Sequence, residues 1–366
     1  MGELFCCRKV VNLPATSQFL FQLNRFIPNT EKNLDIDKIS NSSNNSLLST
    51  SSKSDKNNDH KLSKAQKKNK YSKNLKENLI PNKGKYKFLF YDINQNVTLI
   101  LEKKLDIIKS LEGLSELNFN QKLYLCGNSQ LSDIVGSYLF EINPIDPKTN
   151  ILVNSVYSHY YPALISIKNK FIFCIGGKNK VQCESYIIEE NKWDPLPNLP
   201  EERYMCTLCY DSNKDILYLF GGINNKKQND NKIYIESNSI LRFKLGVEFL
   251  KWEKIEIKSE NEKNLLKRNS SASLMFDDQK DNIYILDGEN EQKHFLDNII
   301  RFNTNTFGLQ KINQKLKFPT IFFNQYGKRC EKNSYLYIFY DKFNSIFKVD
   351  KHDFVEFSYE KLEIKN

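Results

Sequence analysis

The sequence predicts an all-β fold built from a repeated four-stranded sheet, and three observations carry that expectation. Short apolar runs rich in Phe, Tyr, Ile and Val dominate from Tyr86 onward, and such residues suit a pleated, half-buried strand. Turns rich in Asn, Asp and Lys separate the runs, with little helical period apart from a stretch near Leu105 to Leu114. One unit recurs at roughly 50 residues, a period that signals stacked repeats.

The unit centres on an apolar run that ends in a glycine pair or a relic of one. Such runs close at Gly127, Gly176-Gly177, Gly221-Gly222, Gly288 and Tyr340-Asp341. Another short strand candidate precedes each run, as at Ala163–Ile167. A third strand bearing an aromatic residue follows, then a turn and a fourth strand. Six residues intervene between Tyr186 and Trp193, Phe302 and Leu309, Phe347 and Phe354, and Phe90 and Val97. That spacing suits two strand ends joined by a polar turn, delivering both large side chains to one interface.

These residues resemble the kelch repeat. The fullest unit runs from Phe171 to Arg203: Gly176-Gly177, then Tyr186, then Trp193, a Leu-Pro-rich link and Arg203 opening the next unit. A second has Gly221-Gly222 and Trp252, with Phe243 in the Tyr place and two extra residues before the Trp. The resemblance spans roughly residues 86 to 361 and implies a β-propeller of four-stranded blades. In that reading Gly176, Gly177, Tyr186, Trp193, Arg203, Gly221, Gly222 and Trp252 build the scaffold. They form no catalytic set.

Complete units fall at about 117–153, 160–197, 203–257, 270–313 and 320–361, with an additional strand pair at 86–101. Two strands are then missing from a sixth blade, and Phe19–Phe26 is the segment to supply one or both. The expected organisation is an N-terminal segment over 1–28, a disordered insert over 29–85 and a propeller over 86–366, six-bladed, with five blades plus a dangling strand pair as the alternative. Asn, Ser and Lys dominate the insert, and its large apolar residues are too sparse to offset ordering entropy.

Nearly all of the net charge of +10 lies in the Lys-rich stretch 53–87. Residues 53–87 carry twelve Lys against Asp55, Asp59 and Glu77, while everything from residue 88 onward sums to zero. The folded part is not basic, so nucleic acid is not an expected partner. The eight cysteines form no dense framework, which points to reduced thiols and a cytoplasmic setting. The start, Met1-Gly2 with Cys6 and Cys7 close behind, resembles N-myristoylated and S-palmitoylated proteins, although Cys6 stands where the motif prefers Ser or Thr. Gly2, Cys6 and Cys7 are the candidate lipidation sites of a tether to the cytoplasmic face of a membrane, with the Lys-rich insert as its basic patch.

Cys206-Thr-Leu-Cys209 has metal-like spacing, but residues three apart on a strand point to opposite faces. His60, His159, His294 and His352 fall in four separate segments. No metal, cofactor or catalytic set is therefore expected. The functional expectation is a protein-interaction scaffold. A propeller-class enzyme, of the oxidase or sugar-acid isomerase type with a site at the channel mouth, is the alternative. Polar loops at Asn224–Ser239, including Asn229 and Asp230, at Ser259–Asn269, and at Glu289–His294 are read as tolerated insertions or recognition loops.

Overall fold

The computed structural model describes residues 19–25, 85–92 and 97–104, and then most of the chain from 113 to 365. Side chains are described within 113–313. The chain divides into two compact units. One comprises Met1–Leu23, Phe88–Leu101 and Ser110–Asn366; the other comprises Asn24–Lys87 and Glu102–Lys109. Among the described residues the second holds only ends of the first three strands. The insert expected over 29–85 lies almost wholly outside the described residues, as do Gly2, Cys6 and Cys7.

The fold is all-β. Three strands, β1 (Phe19–Arg25), β2 (Lys85–Asp92) and β3 (Val97–Lys104), lie side by side in that order. The next sheet is β4 (Leu114–Phe119), β5 (Lys122–Gly127), β6 (Tyr138–Ile142) and β7 (Thr149–Ile151). It is followed by β8 (Ala163–Ile167), β9 (Phe171–Gly177), β10 (Lys180–Ile187) and β11 (Lys192–Leu196). The following sheet opens with β12 (Thr207–Asp211) and β13 (Ile216–Phe220). A separate hairpin, β14 (Ile223–Gln228) and β15 (Asn231–Glu236), then interrupts it before β16 (Ile240–Lys244) and β17 (Trp252–Ile255) complete it.

Two further sheets follow in chain order: β18 (Ser273–Asp277), β19 (Asn282–Leu286), β20 (Asn298–Asn303) and β21 (Leu309–Lys315), then β22 (Arg329–Lys332), β23 (Tyr335–Tyr340), β24 (Ser345–Asp350) and β25 (Phe357–Lys361). The last strand, β26 (Ile364–Lys365), returns to the first sheet and pairs in parallel with β3, Ile364 opposite Thr98. Of the two strands missing from that sheet, Phe19–Arg25 therefore supplies one. The chain's end supplies the other. A helix, α1 (Glu260–Leu265), lies where a polar loop was expected; Leu114 opens β4, and the rest of the helical stretch expected near it, 105–112, lies outside the described residues.

Alternation along each strand sends side chains to both faces, and in the β8–β11 sheet and the sheet that follows it both faces are buried. From the β8–β11 sheet, Ile172, Cys174, Tyr186 and Trp193 pack against Phe119, Tyr124, Cys126 and Leu139 of the β4–β7 sheet. Its other face sends Phe173, Ile175 and Cys183 against Leu208, Leu217, Leu219, Phe243 and Trp252. That third sheet in turn sends Cys209, Tyr218, Phe220 and Ile255 against Ile283, Ile285, Ile300 and Phe302. Sheets thus cover one another in series. Their first strands are also neighbours: β4 touches β8, β8 touches β12 and β12 touches β18. Tyr161 N donates to Gly113 O at 2.9 Å and Met205 N to Tyr161 O at 3.2 Å, linking the entries to β4, β8 and β12.

The third-to-fourth strand spacing marks register partners where the turn is short. Tyr186 faces Trp193, Phe243 faces Trp252 and Phe302 faces Leu309. Ring centroids are 5.4 Å apart in the first pair and 5.0 Å in the second. The spacing does not hold for Phe347, whose partner is Tyr359; Phe354 lies outside the described residues.

The glycine pairs close the second strands. Gly176 has φ +67°, and a Cβ there would stand 2.4 Å from the Arg203 carbonyl oxygen. Only glycine fits that approach. Gly177, Gly221 and Gly222 also take positive φ. At the opposite sheet ends, ion pairs tie successive hairpin turns: Lys168 to Asp215 at 2.6 Å and Lys214 to Asp281 at 2.8 Å. Hydrogen bonds from Lys214 and Asn305 hold the Asp281 carboxyl below its ordinary range.

Candidate functional site

Each sheet hands the chain to the next through a link from its outer to its inner strand. The link over 152–162 and the link over 197–206 are built alike. Trp193 Nε1 donates to Val153 O at 2.8 Å, and Trp252 Nε1 donates to Pro197 O at 3.1 Å. Tyr161 and Met205 take the same left-handed backbone, φ 56° and 55°. Both pairs are offset by 44 residues, and that offset puts His159 in the place of Arg203.

Arg203 is fully buried. It donates to Ser239 O at 3.0 Å and Ser239 Oγ at 2.7 Å, and it pairs with Glu201. Glu201 also accepts from Asn224 Nδ2 at 2.9 Å. His159 is equally buried. Its Nδ1 lies 2.6 Å from Gly176 O and its Nε2 lies 2.9 Å from Glu184 Oε2. A carbonyl only accepts, so Nδ1 carries a hydrogen, and Nε2 faces the Glu184 carboxyl. No ring nitrogen of His159 is left to act as a general base.

Glu184 does more than face His159. The side chain is buried in β10 and accepts from Val156 N at 2.9 Å and Tyr157 N at 3.0 Å. Two charge-assisted bonds thereby fix the backbone of the link. Ser155 adds a third hold, its N–H bonding Ser137 O at 3.0 Å and its Oγ bonding Tyr157 O at 2.7 Å. On and beside this link, exposed apolar side chains make a candidate platform. Val156 is 56% exposed, Ile151 49%, Val153 41% and Tyr157 38%. These four are most of the exposed large hydrophobic residues among the described ones. In the equivalent link Leu199 is buried and Glu201 and Glu202 are the polar residues.

The residues singled out from the sequence support this platform without forming it. Trp193 pins Val153, Gly176 supplies the carbonyl for His159, and Arg203 latches the next link. Tyr186 and Trp252 lie at sheet interfaces, and Gly177, Gly221 and Gly222 close second strands. Cys206 and Cys209 pack into different interfaces, so the pair does not converge on one point. Burial pushes the thiols of Cys183 and Cys206 up to about 12. Cys126 and Cys174 meet at 3.8 Å within a closed interface. Asn229, Asp230 and, apart from Asn290, the loop Glu289–His294 lie outside the described residues. Among the described residues no group of three or more His, Cys, Asp or Glu is placed to hold a metal ion.

Sequence reasoning missed Glu184, Val156 and Tyr157, and set His159 aside as an isolated histidine. The signal that finds them is the 44-residue offset between the two links. No protein-family model matches the chain, and no curated protein matches it either.

Proposed function

We propose that the chain is a kelch-type β-propeller of six four-stranded blades that holds protein partners, and that a partner docks on the platform at Ile151, Val153, Val156 and Tyr157. Three features support the propeller: sheets covered on both faces by their neighbours, first strands adjacent in series, and a last strand returning to the first sheet. The docking role rests on one observation. Glu184 holds Val156 and Tyr157 rigidly in place while their side chains stay in water. Pre-ordering of this kind reduces the entropy lost on binding, and a Tyr among exposed aliphatics is a common binding anchor.

The test is co-purification with the full-length chain from cells, comparing the native sequence with Val156→Ser plus Tyr157→Ser. The double variant keeps both N–H groups that Glu184 accepts. Partner recovery is expected to fall at least about tenfold, with a melting temperature within about 2 °C of the native chain. Undiminished recovery would remove the platform from this reading.

A further inference from the structure

The hairpin β14–β15 stands as a two-stranded sheet of its own, and neither strand makes extensive contact with another element among the described residues. Such a ribbon is marginal in water unless another strand joins it. Elsewhere most outer edges of the sheets are blunted, β25 with its five regular residues being the exception. β7 has three residues, β17 has four, β26 has two, β11 contains Pro195, and the pairing of β21 with β20 slips at Asn298. These are the devices by which proteins prevent edge-to-edge pairing. Apart from its charged Lys232 and Glu236, β15 has none of them. Its six residues run without proline, glycine or a break in register.

The register says which backbone groups it offers. Gln228 faces Asn231 across a two-residue turn, so that pair exchanges hydrogen bonds and alternate pairs along the ribbon do not. Two bonds check the phase. Ser237 N donates to Gly222 O at 2.9 Å, and Ile223 turns outward to exchange both of its bonds with Tyr204, at 2.8 and 3.1 Å. On β15, therefore, Lys232, Tyr234 and Glu236 direct their N–H and C=O groups to the free edge.

We propose that two copies of this chain join through β15, antiparallel about a two-fold axis at Tyr234. The segment Lys232-Ile233-Tyr234-Ile235-Glu236 is complementary to itself in that arrangement. Lys232 falls opposite Glu236 of the partner subunit, and the symmetry repeats the pair. Tyr234 falls opposite Tyr234 of the partner subunit, and Ile233 opposite Ile235 of the partner subunit. Aromatic, β-branched and opposite-charge pairs are the cross-strand pairs that stabilise sheets. Sliding the register by two residues in either direction loses both charge pairs. The ribbon becomes one half of a four-stranded sheet, and the interface is isologous, as two-fold dimers require.

Sedimentation equilibrium of the full-length chain tests this. The native chain is expected to dimerise. Glu236→Lys, which sets like charges opposite one another at both ends, is expected to raise the dissociation constant about tenfold or more, and Lys232→Glu to do the same. The double variant Lys232→Glu plus Glu236→Lys exchanges the charges and restores complementarity, so its dissociation constant returns to within about threefold of the native value. A misfolding artefact would not be rescued in this way. A chain that stays monomeric at about 100 µM, or a dimer indifferent to the single reversals, overturns the proposal. So does a native monomer whose β15 captures a different extended peptide.

Discussion

Glu184→Leu is expected to lower the free energy of unfolding by about 3–5 kcal/mol, read by urea titration. The side chain has no solvent exposure and serves three donors at once: the His159 ring, Val156 N and Tyr157 N. Leucine of similar bulk fills the space but leaves those groups without an acceptor. A buried donor left unpaired costs about 1–3 kcal/mol, and an imidazole deprived of its carboxylate costs more. Glu184→Gln keeps one carbonyl oxygen and is expected to cost about half as much. The same substitution releases the 155–157 backbone, so partner recovery falls even under conditions where the variant remains folded. A loss below about 1 kcal/mol would mean the latch is not a structural unit.

Trp193→Ala is expected to cost about 3–5 kcal/mol by the same measurement. The indole is buried at the interface with the β4–β7 sheet, stacks obliquely on Tyr186 and donates to Val153 O. Removing it opens a cavity between two sheets and frees the start of the platform link. Trp193→Phe keeps most of the contact area and loses the hydrogen bond, so about 1–2 kcal/mol is expected. Equal costs for the two substitutions would show that the Val153 bond, rather than packing, dominates.

Much of the sheet architecture could be read from the residues because its rules are local. Apolar runs ending in Gly176-Gly177 and Gly221-Gly222 mark second strands, since a backbone approach to Arg203 O leaves no room for a side chain. The Tyr186–Trp193 and Phe302–Leu309 spacings hold because a short turn fixes the register. Phe347 escaped the same rule because its hairpin is longer, and Tyr359 is its partner. β14 was read as loop for a different reason. Its Ile223-Asn-Asn-Lys-Lys-Gln228 carries no apolar alternation, and only pairing with β15 makes it a strand.

The candidate site was harder to read. His159 and Glu184 are 25 residues apart and meet only because β10 folds back beneath the link. The platform residues Val156 and Tyr157 belong to a degenerate repeat, where the Leu-Pro pattern of the better unit is missing. β26 lay beyond the last recognised unit, and a two-residue strand has no sequence period to detect.

The return of β26 to the first sheet is the observation on which the propeller proposal turns, and hydrogen exchange on a chain lacking residues 362–366 tests it most directly. The account predicts that protection falls in β2 and β3, around Thr98 and Leu99, and that the melting temperature drops by about 5 °C or more as the free edge propagates into the neighbouring sheets. Unchanged protection in β2 and β3 with an unchanged melting temperature would contradict it.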